Sequence, residues 1–394
     1  MKLIDNKLQE LLIEVLKEKS VRNDDKIISL YERFGFLKLK EISEDNLSDL
    51  TVAYNLTQLE KLGESEKIKW QEVYDKYLIT ENLQWDWIER VIAKLSTLGH
   101  EVLLLKDMGL SLNIYPTRCY RRHVDVDLLV LKDTYDMLDA VLEGLGFQVG
   151  YDDNYNRSYN YMANIFGQKK AIMYLDGDKL ELEFHLRPHA GRWIRPKQEP
   201  NPTSLFNNSI RVNFNDKLIT RVLSNDDNLV YECIHANKHF LVLDRIIRNY
   251  MDIDKIIATG EINWENVIRI ATKYEVVLPV KMALIITKEL FDSSIPNYVF
   301  DKLPTKKWKM NHFKNWVVKY SIYDFMPQKK VSQLNRFLFF LLMTDSWLHT
   351  FIIIFRIFFM PINHLKARYQ FSSNFLIPYY YLHNFLMIIL KKRL

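Results

Sequence analysis

The sequence predicts an α+β fold, in which a small mixed β-sheet is flanked by N-terminal and C-terminal helical domains. Residues 82–100 place apolar side chains at four-residue steps, which is the spacing of one helix face. Residues 124–131 and 179–186 are instead short blocks rich in Val, Leu and Phe, as strands are. Short strands between long helical stretches therefore indicate one sheet carried by helices.

The change of pattern along the chain divides it into four regions. They are an N-terminal helical region, a mixed core, a helical domain and a basic, apolar helical end, at residues 1–100, 101–190, 191–330 and 331–394. The predicted strands of the core lie near residues 102–106, 124–131, 171–175 and 179–186. Asp176-Gly177-Asp178 predicts a hairpin turn between the last two strands. We expect strands 124–131 and 179–186 to be adjacent, with helices on one face of the sheet.

The composition is that of an ordinary globular protein, because 48% of the 394 residues are hydrophobic and 26% are charged. Cys119 and Cys233 provide neither a disulfide framework nor a thiolate metal cluster, which suits a reducing cytoplasm. Residues 1–16 form an amphipathic pattern with acids throughout, unlike a secretion signal. We therefore expect a cytoplasmic protein.

The C-terminal end is basic and apolar. No acid follows Asp345, and the apolar runs 351–360 and 375–390 are shorter than the roughly 20 residues of a membrane span. We expect residues 346–394 to form helices packed against the helical body, and the alternative is a helix that binds a membrane surface or a partner. The side chains expected to be buried are Phe351, Ile354, Phe358, Phe385 and Ile388.

Two carboxylates interrupt the apolar strand 124–131. Side chains alternate along a strand, so Asp125 and Asp127 point the same way, about 6–7 Å apart. Val124, Val126 and Leu128 should face the core. Two like charges on a central strand are costly unless a cation joins them, and Mg²⁺ is the hard, oxygen-seeking cation that such a pair suits.

A second set of polar side chains occurs on strand 179–186. Glu181, Glu183 and His185 share one face of this strand. If it neighbours the Asp125 strand, Glu183 or Glu181 completes a cage for two cations about 3.5–4 Å apart. The alternative is an edge strand whose acids are solvated.

Two further features have both a structural and a functional explanation. His235 and His239 lie four residues apart on a predicted helix, so they share a face. The sequence shows no third zinc ligand at a spacing typical of zinc sites. They are core histidines or substrate contacts. Residues 304–320 interleave five lysines with aromatic residues, which is typical of RNA binding and equally of a solvated basic helix.

Several segments together resemble the polymerase-β-like nucleotidyltransferase superfamily, and within it a bacterial group described as uncharacterised nucleotidyltransferases. The resemblance covers most of the chain and is densest from 101 to 255. It is carried by residues 103–131, 181–186, 234–240, 248–256 and 358–369, which read LLLKDMGLSLNIYPTRCYRRHVDVDLLVL, ELEFHL, IHANKHF, RNYMDIDKI and FFMPINHLKARY.

The resemblance implies an enzyme that moves a nucleotidyl group from a nucleoside triphosphate to an acceptor. Asp125 and Asp127 would hold two Mg²⁺ ions, and Glu183 would bind the catalytic ion and favour deprotonation of the acceptor hydroxyl. Lys106 and Arg121 would face the triphosphate. The other candidates are Gly109, Ser111 and His185 for nucleotide binding, and His235, Lys238, His239 and Asp252 for the cleft.

One position departs from the family pattern. Where the group has a Gly after the Lys, this chain has Asp107, and an acid beside a triphosphate is unfavourable unless it binds metal or turns away. Gly109 and Ser111 would supply part of the phosphate cradle if the turn shifts. The alternative function is a catalytically impaired module that binds a nucleotide or a peptide.

The acceptor is the least determined part. The resemblance points to a peptide or natural-product precursor, because members of the group occur beside peptide natural-product genes. Modification of RNA or protein is the alternative, and residues 346–394 add a candidate peripheral membrane contact.

Overall fold

The computed structural model describes residues 6–150, 162–175, 178–189, 199–240, 247–320 and 344–389. The α-helices of these residues are α1 (Lys7–Leu16), α2 (Asp24–Asp45), α3 (Asp49–Thr57), α4 (Glu64–Thr97), α5 (Lys106–Asn113), α6 (Lys132–Gly144), α7 (Pro202–Asn208), α8 (Asn225–Phe240), α9 (Ile247–Ala258), α10 (Trp264–Lys273), α11 (Val277–Phe291), α12 (Asn297–Lys302), α13 (Lys307–Tyr320), α14 (Trp347–Phe358), α15 (Ile362–Tyr369) and α16 (Ile377–Ile389). The strands are β1 (Leu103–Leu104), β2 (Val126–Leu129), β3 (Gln148–Val149), β4 (Gln168–Leu175), β5 (Asp178–His185), β6 (Ile210–Asn213) and β7 (Ile219–Val222).

The strands form one mixed sheet in the order β3-β4-β5-β2-β1-β7-β6. β2 pairs in parallel with β5, which confirms the predicted neighbourhood of the two acid-bearing strands. β4 and β5 pair antiparallel, as the hairpin predicts, although Asp176 and Gly177 of its turn lie outside the described residues. The α+β fold class is confirmed.

The sheet is larger than predicted. β6 and β7 lie in residues 191–330, which the sequence analysis assigns to a helical domain, and β7 pairs in parallel with β1. Each has only four residues and they alternate weakly, so their pattern carries little signal beside the helices that follow.

Helices cover both faces of the sheet, so the expectation of helices on one face is wrong. On one face Val126 and Leu128 join the core formed with α4 and α6. On the other, Leu103 and Leu129 contact Tyr231 of α8 within a smaller cluster. Val124 does not face the core as predicted, since it precedes β2 and is 48% exposed.

The N-terminal and C-terminal helices share one hydrophobic core. Leu12 of α1, Trp70 of α4 and Val280 of α11 are each fully buried in the same cluster. Helices α1 to α4 and α8 to α13 therefore contribute to one core, although the chain pattern separates them.

α4 ends just before Gly99. Gly99 has φ +81°, and the following His100 amide donates a 3.0 Å hydrogen bond to the Leu95 carbonyl. A glycine suits this left-handed position because it has no Cβ to clash.

The C-terminal residues are helical as predicted, but the predicted burial of their aromatic side chains is wrong. Phe351 is 57% exposed and Phe385 is 41% exposed, whereas Ile354 and Phe358 are half-buried and the Ile388 side chain lies outside the described part. Among the described residues, no helix is both long and apolar enough to cross a membrane.

Replacement of Asp254 by Asn should stabilise the protein in a pH-dependent way. Burial raises the pKa of this α9 carboxyl from 3.8 to about 6, although Ser293 donates a hydrogen bond to it. An acid with a raised folded-state pKa binds more protons folded than unfolded, so its charge costs stability above that value. We expect Asp254→Asn to add about 1–3 kcal/mol to the free energy of unfolding at pH 8 and almost nothing at pH 4.

Urea unfolding at both pH values measures this effect. The exposed Asp86→Asn is the matched control and should change little at either pH. An equal gain for Asp254→Asn at the two pH values would contradict the explanation.

Candidate active site

The acid-bearing faces of β2 and β5 meet at the centre of the sheet. Asp127 of β2 is in register with Glu183 of β5, and parallel neighbours in register point to the same face. One ligand atom from each of Asp127, Glu183 and His185 lies within 4.8 Å of the others. Three of the predicted site residues are therefore brought together.

Asp127 is buried and fully paired. It is 2% exposed, and it accepts hydrogen bonds from Lys106 Nζ at Oδ2 (2.5 Å) and from His185 Nε2 at Oδ1 (2.6 Å). Burial alone would raise the pKa of its carboxyl, but Lys106 and His185 together lower it well below its usual range. This carboxylate stays charged at every physiological pH.

Asp125 lies in a different electrostatic environment. It immediately precedes β2 and is half-buried. Burial and the neighbouring Asp127 carboxylate raise the pKa of Asp125 to about 6, and the positive charge of Lys106 offsets this only in part. The cost of holding two like charges together therefore falls on Asp125 and not on Asp127.

The two glutamates of β5 are distinguished by their partners. Lys170 and Lys179 both pair with Glu181, the latter at 2.6 Å. Glu183 accepts a hydrogen bond from Gln168, while His185 Nε2 and Lys170 Nζ lie 3.7 and 4.0 Å from its carboxylate oxygens. Glu183 is thus the acid available beside Asp127.

The residues present fit a divalent cation. Asp125, Asp127 and Glu183 provide the carboxylate oxygens that Mg²⁺ prefers. The charge of Asp125 is only partly compensated by Lys106, and Nδ1 of the buried His185 has no hydrogen-bond partner among the described residues. A bound cation would neutralise the charge of Asp125. The hydrogen bond from His185 Nε2 already orients Asp127.

Arg121 does not reach an open cleft. It is 1% exposed, and its Nε and Nη2 donate to the two carboxylate oxygens of Asp252 at 2.9 and 2.7 Å. Its Nη1 pairs with Asp107. The structure therefore places Arg121 in a buried ion-pair network and not on an open surface where it would meet a triphosphate.

The same network explains Asp107, the departure from the family pattern. The carboxyl is 5% exposed, and burial would raise its pKa, but Arg121 lowers it. The charge of Asp107 is therefore compensated mainly by Arg121, although it still contributes to the raised pKa of Asp125.

Gly109 and Ser111 are not brought to the site. A Cβ on Gly109 would lie 2.7 Å from the Leu104 carbonyl oxygen, so glycine lets α5 approach β1 closely. Ser111 is buried, with its Oγ 3.2 Å from His123 Nε2. Both residues serve the packing of α5 in this structure.

The predicted cleft residues on α8 and α9 separate into two groups. His235 is 8% exposed with its Nδ1 3.5 Å from Glu232, and Asp252 is fully buried beside Arg121 and Tyr115. Lys238 and His239 lie in α8, but their side chains are outside the described part. The buried members belong to the polar core behind the sheet.

Arg248 is the residue that the sequence analysis missed. Its Nε and Nη1 are buried without a hydrogen-bond partner among the described residues, and burial lowers its pKa. The charges that act on it are those of Arg121, Asp107, Asp252 and Asp125. Its spacing four residues before Asp252, on the same helix face, is the signal that could have identified it.

A mixed sheet with carboxylates on adjacent central strands, flanked by helices, defines a nucleotidyltransferase-like protein. The family model described as "Uncharacterised nucleotidyltransferase" matches residues 48–292, and the chain belongs to this family. The family indicates nucleotidyl transfer in general, with a nucleoside triphosphate as substrate and a divalent metal. No curated protein matches the chain.

Proposed function

We propose that this protein is a Mg²⁺-dependent enzyme that transfers a nucleotidyl group from a nucleoside triphosphate to an acceptor hydroxyl. The observation that carries the proposal is the cluster of Asp127, Glu183 and His185, whose ligand atoms lie within 4.8 Å of one another. Asp125 lies outside this group of three and is the additional carboxylate that we assign to the metal site, because the pKa of its carboxyl is raised by burial and by Asp127.

The chemistry assigned to the site is an in-line displacement at the α-phosphorus. The acceptor oxygen forms a bond to this phosphorus, the bond to the β-phosphate bridging oxygen breaks, and pyrophosphate leaves. Asp125, Asp127 and Glu183 would hold two Mg²⁺ ions, which supply charge neutralisation for the triphosphate. Glu183 favours loss of the acceptor proton, since Lys170 Nζ is 4.0 Å from it and leaves its carboxylate available.

Two cations are the proposed contacts for the triphosphate. Lys106 neutralises Asp127 in the structure, and a metal on Asp127 would free its ammonium group for a phosphate oxygen. Arg248 takes the part that the resemblance gives to Arg121, because its buried Nε and Nη1 have no partner among the described residues. His185 positions Asp127 through its Nε2 hydrogen bond.

A peptide or natural-product precursor is the acceptor that we propose, on the basis of the family resemblance. RNA is less favoured. Phe313 and Trp316 of the basic helix α13 are 3% and 7% exposed and offer no face for stacking bases, which leaves Trp308, at 57% exposed, as the described ring of this helix that could stack. Free, buried Cys119 and Cys233 support the cytoplasm as the compartment.

The alternative of a catalytically impaired binding module loses its main support. That alternative rests on Asp107, and this acid is paired with Arg121 and not with the site. The experiment that separates the two functions is incubation with α-labelled nucleoside triphosphates, Mg²⁺ and an extract of the source cells. Label on a macromolecule together with pyrophosphate release supports the enzyme. The absence of both labelled macromolecule and pyrophosphate would contradict it.

Glu183→Gln and Glu181→Gln should differ in activity. Glu183→Gln should lower turnover by about 10²–10⁴-fold, because the acceptor loses the base that favours its deprotonation. Nucleotide affinity should change little, since the aspartates remain. Glu181→Gln is the matched control and should stay near wild type, because this acid is held by Lys170 and Lys179.

Single-turnover label transfer and nucleotide titration measure the two quantities. An inactive Glu181→Gln beside an active Glu183→Gln would show that the acids are assigned in the wrong register along β5.

A further inference from the structure

The helices α14 to α16 carry an unusual amount of exposed apolar surface. Of the 24 large hydrophobic side chains exposed in the described residues, 12 lie between residues 347 and 386. We call these twelve the C-terminal patch; they are Trp347, Leu348, Phe351, Phe355, Phe359, Ile362, Phe375, Leu376, Tyr379, Leu382, Phe385 and Leu386. Contiguous apolar surface of this kind marks an interaction site.

The C-terminal patch follows the geometry of its helices. Trp347, Phe351 and Phe355 recur every four residues, so they form one stripe along α14. The Phe355 ring lies 4.9 Å from the Phe359 ring, which continues the stripe beyond the helix. The exposed rings of Trp347, Phe351, Phe355 and Phe359 thus follow one another along the helix and just past its end.

The C-terminal end of α14 packs against α16. The Phe358 ring lies 5.7 Å from the Phe385 ring, and Tyr381 donates a 2.6 Å hydrogen bond to the Met360 carbonyl. The helices therefore form a small folded unit that holds its exposed stripe in place. The exposed stripe therefore consists of several rings held by folded helices.

Charge indicates what covers the C-terminal patch. Residues 346–394 contain no Asp or Glu, and they contain Arg356, Lys366, Arg368, Lys391, Lys392 and Arg393. A second copy of the chain would bring six more cations to the interface and no acid. An anionic lipid surface instead offers phosphates for the cations and an acyl boundary for the aromatic rings.

We propose that the C-terminal patch docks this protein on an anionic membrane surface. The aromatic stripe of α14 lies at the boundary between headgroups and acyl chains, while Arg356, Lys366 and Arg368 contact lipid phosphates. The C-terminal patch shares no residue with the carboxylate cluster of β2 and β5, so this inference goes beyond the proposed function and does not depend on it.

The test is co-sedimentation of the full chain with vesicles of phosphatidylcholine alone and with phosphatidylglycerol added. Each basic side chain near an anionic surface contributes about 5-fold in affinity, so three should favour the anionic vesicles by about 100-fold. Binding in 1 M salt should fall towards the neutral-vesicle value.

Two variants and one control locate the contact. Trp347→Ser combined with Phe351→Ser and Phe355→Ser should abolish binding to both vesicles. Arg356→Gln combined with Lys366→Gln and Arg368→Gln leaves the aromatic stripe intact and should remove only the preference for anionic vesicles. Ile79→Ser, at a 75% exposed position of α4, is the matched control and should bind like wild type.

Three results would overturn the proposal. They are no vesicle binding by the wild type, equal binding to neutral and anionic vesicles, and self-association in solution that the aromatic variant removes without any lipid binding. Circular dichroism should show wild-type helical content for each variant. A loss of vesicle binding is then due to the lost contact and not to unfolding.

Discussion

Replacement of Asp127 by Asn is expected to reduce nucleotidyl transfer by about 10³-fold and to destabilise the protein at the same time. The loss of transfer follows from the loss of a metal ligand, which is worth several kcal/mol in the transition state. The loss of stability follows because Lys106 and His185 both bond to this buried carboxylate. Removing one partner of a buried ion pair costs about 3 kcal/mol.

Asp125→Asn is the matched comparison. Transfer should be lost to a similar extent, but stability should hold or rise by about 1 kcal/mol at pH 7, since the pKa of about 6 reflects a charge that burial and Asp127 oppose. The same reasoning applied to the sequence alone assigns the cost of repulsion to both acids. The structure restricts it to Asp125, because Asp127 has its own counterions. Urea unfolding and label transfer measure both variants, and equal stability changes for the two would contradict this distinction.

Arg121→Met should be the most destabilising substitution near the site. The Arg121 guanidinium pairs with both Asp107 and Asp252, and all three groups are at most 5% exposed. Without it, two carboxylates remain buried and uncompensated, which costs about 3–5 kcal/mol. The free energy of unfolding from urea titration measures the effect.

Arg248→Met is the control for this prediction. It removes an arginine from the same neighbourhood, but one whose Nε and Nη1 have no hydrogen-bond partner among the described residues. Its stability should therefore change by less than about 1 kcal/mol, while its affinity for Mg²⁺-nucleotide should fall about 10-fold or more. If Arg121→Met is as stable as wild type, the buried network is not the role of Arg121.

The parts of the fold that could be predicted from sequence are those with a strong local pattern. The helices α4, α6 and α8 to α11 and the strands β2 and β5 have clear periodicity, and the alternation of acids with Leu and Phe fixes which side chains share a face. The adjacency of β2 and β5 is predicted from the hairpin signal at Asp176-Gly177 and from the matched alternation of the two strands.

The remaining features depend on contacts between distant segments, which a local pattern does not contain. Arg121 and Asp252 are 131 residues apart, so their ion pair is set by the packing of α9 behind the sheet. The sequence suggests that Gly109 forms part of a phosphate cradle, yet the Leu104 carbonyl oxygen occupies the space beside it. Likewise, the apolar runs of residues 351–360 and 375–390 suggest burial, and only the structure shows that side chains such as Phe351, Phe355 and Phe375 are exposed.

The most direct test of the central claim is a calorimetric titration of the protein with a non-hydrolysable α,β-methylene nucleoside triphosphate. The wild type should bind it with Mg²⁺ present and lose at least about 10-fold in affinity in EDTA, because the carboxylates would then repel the triphosphate. Asp125→Asn, which keeps Asp127 with Lys106 and His185, should lose the dependence on Mg²⁺. Tight binding that is equal with and without Mg²⁺ in the wild type, and unchanged in Asp125→Asn, would contradict the assignment of these carboxylates as the metal-dependent nucleotide site.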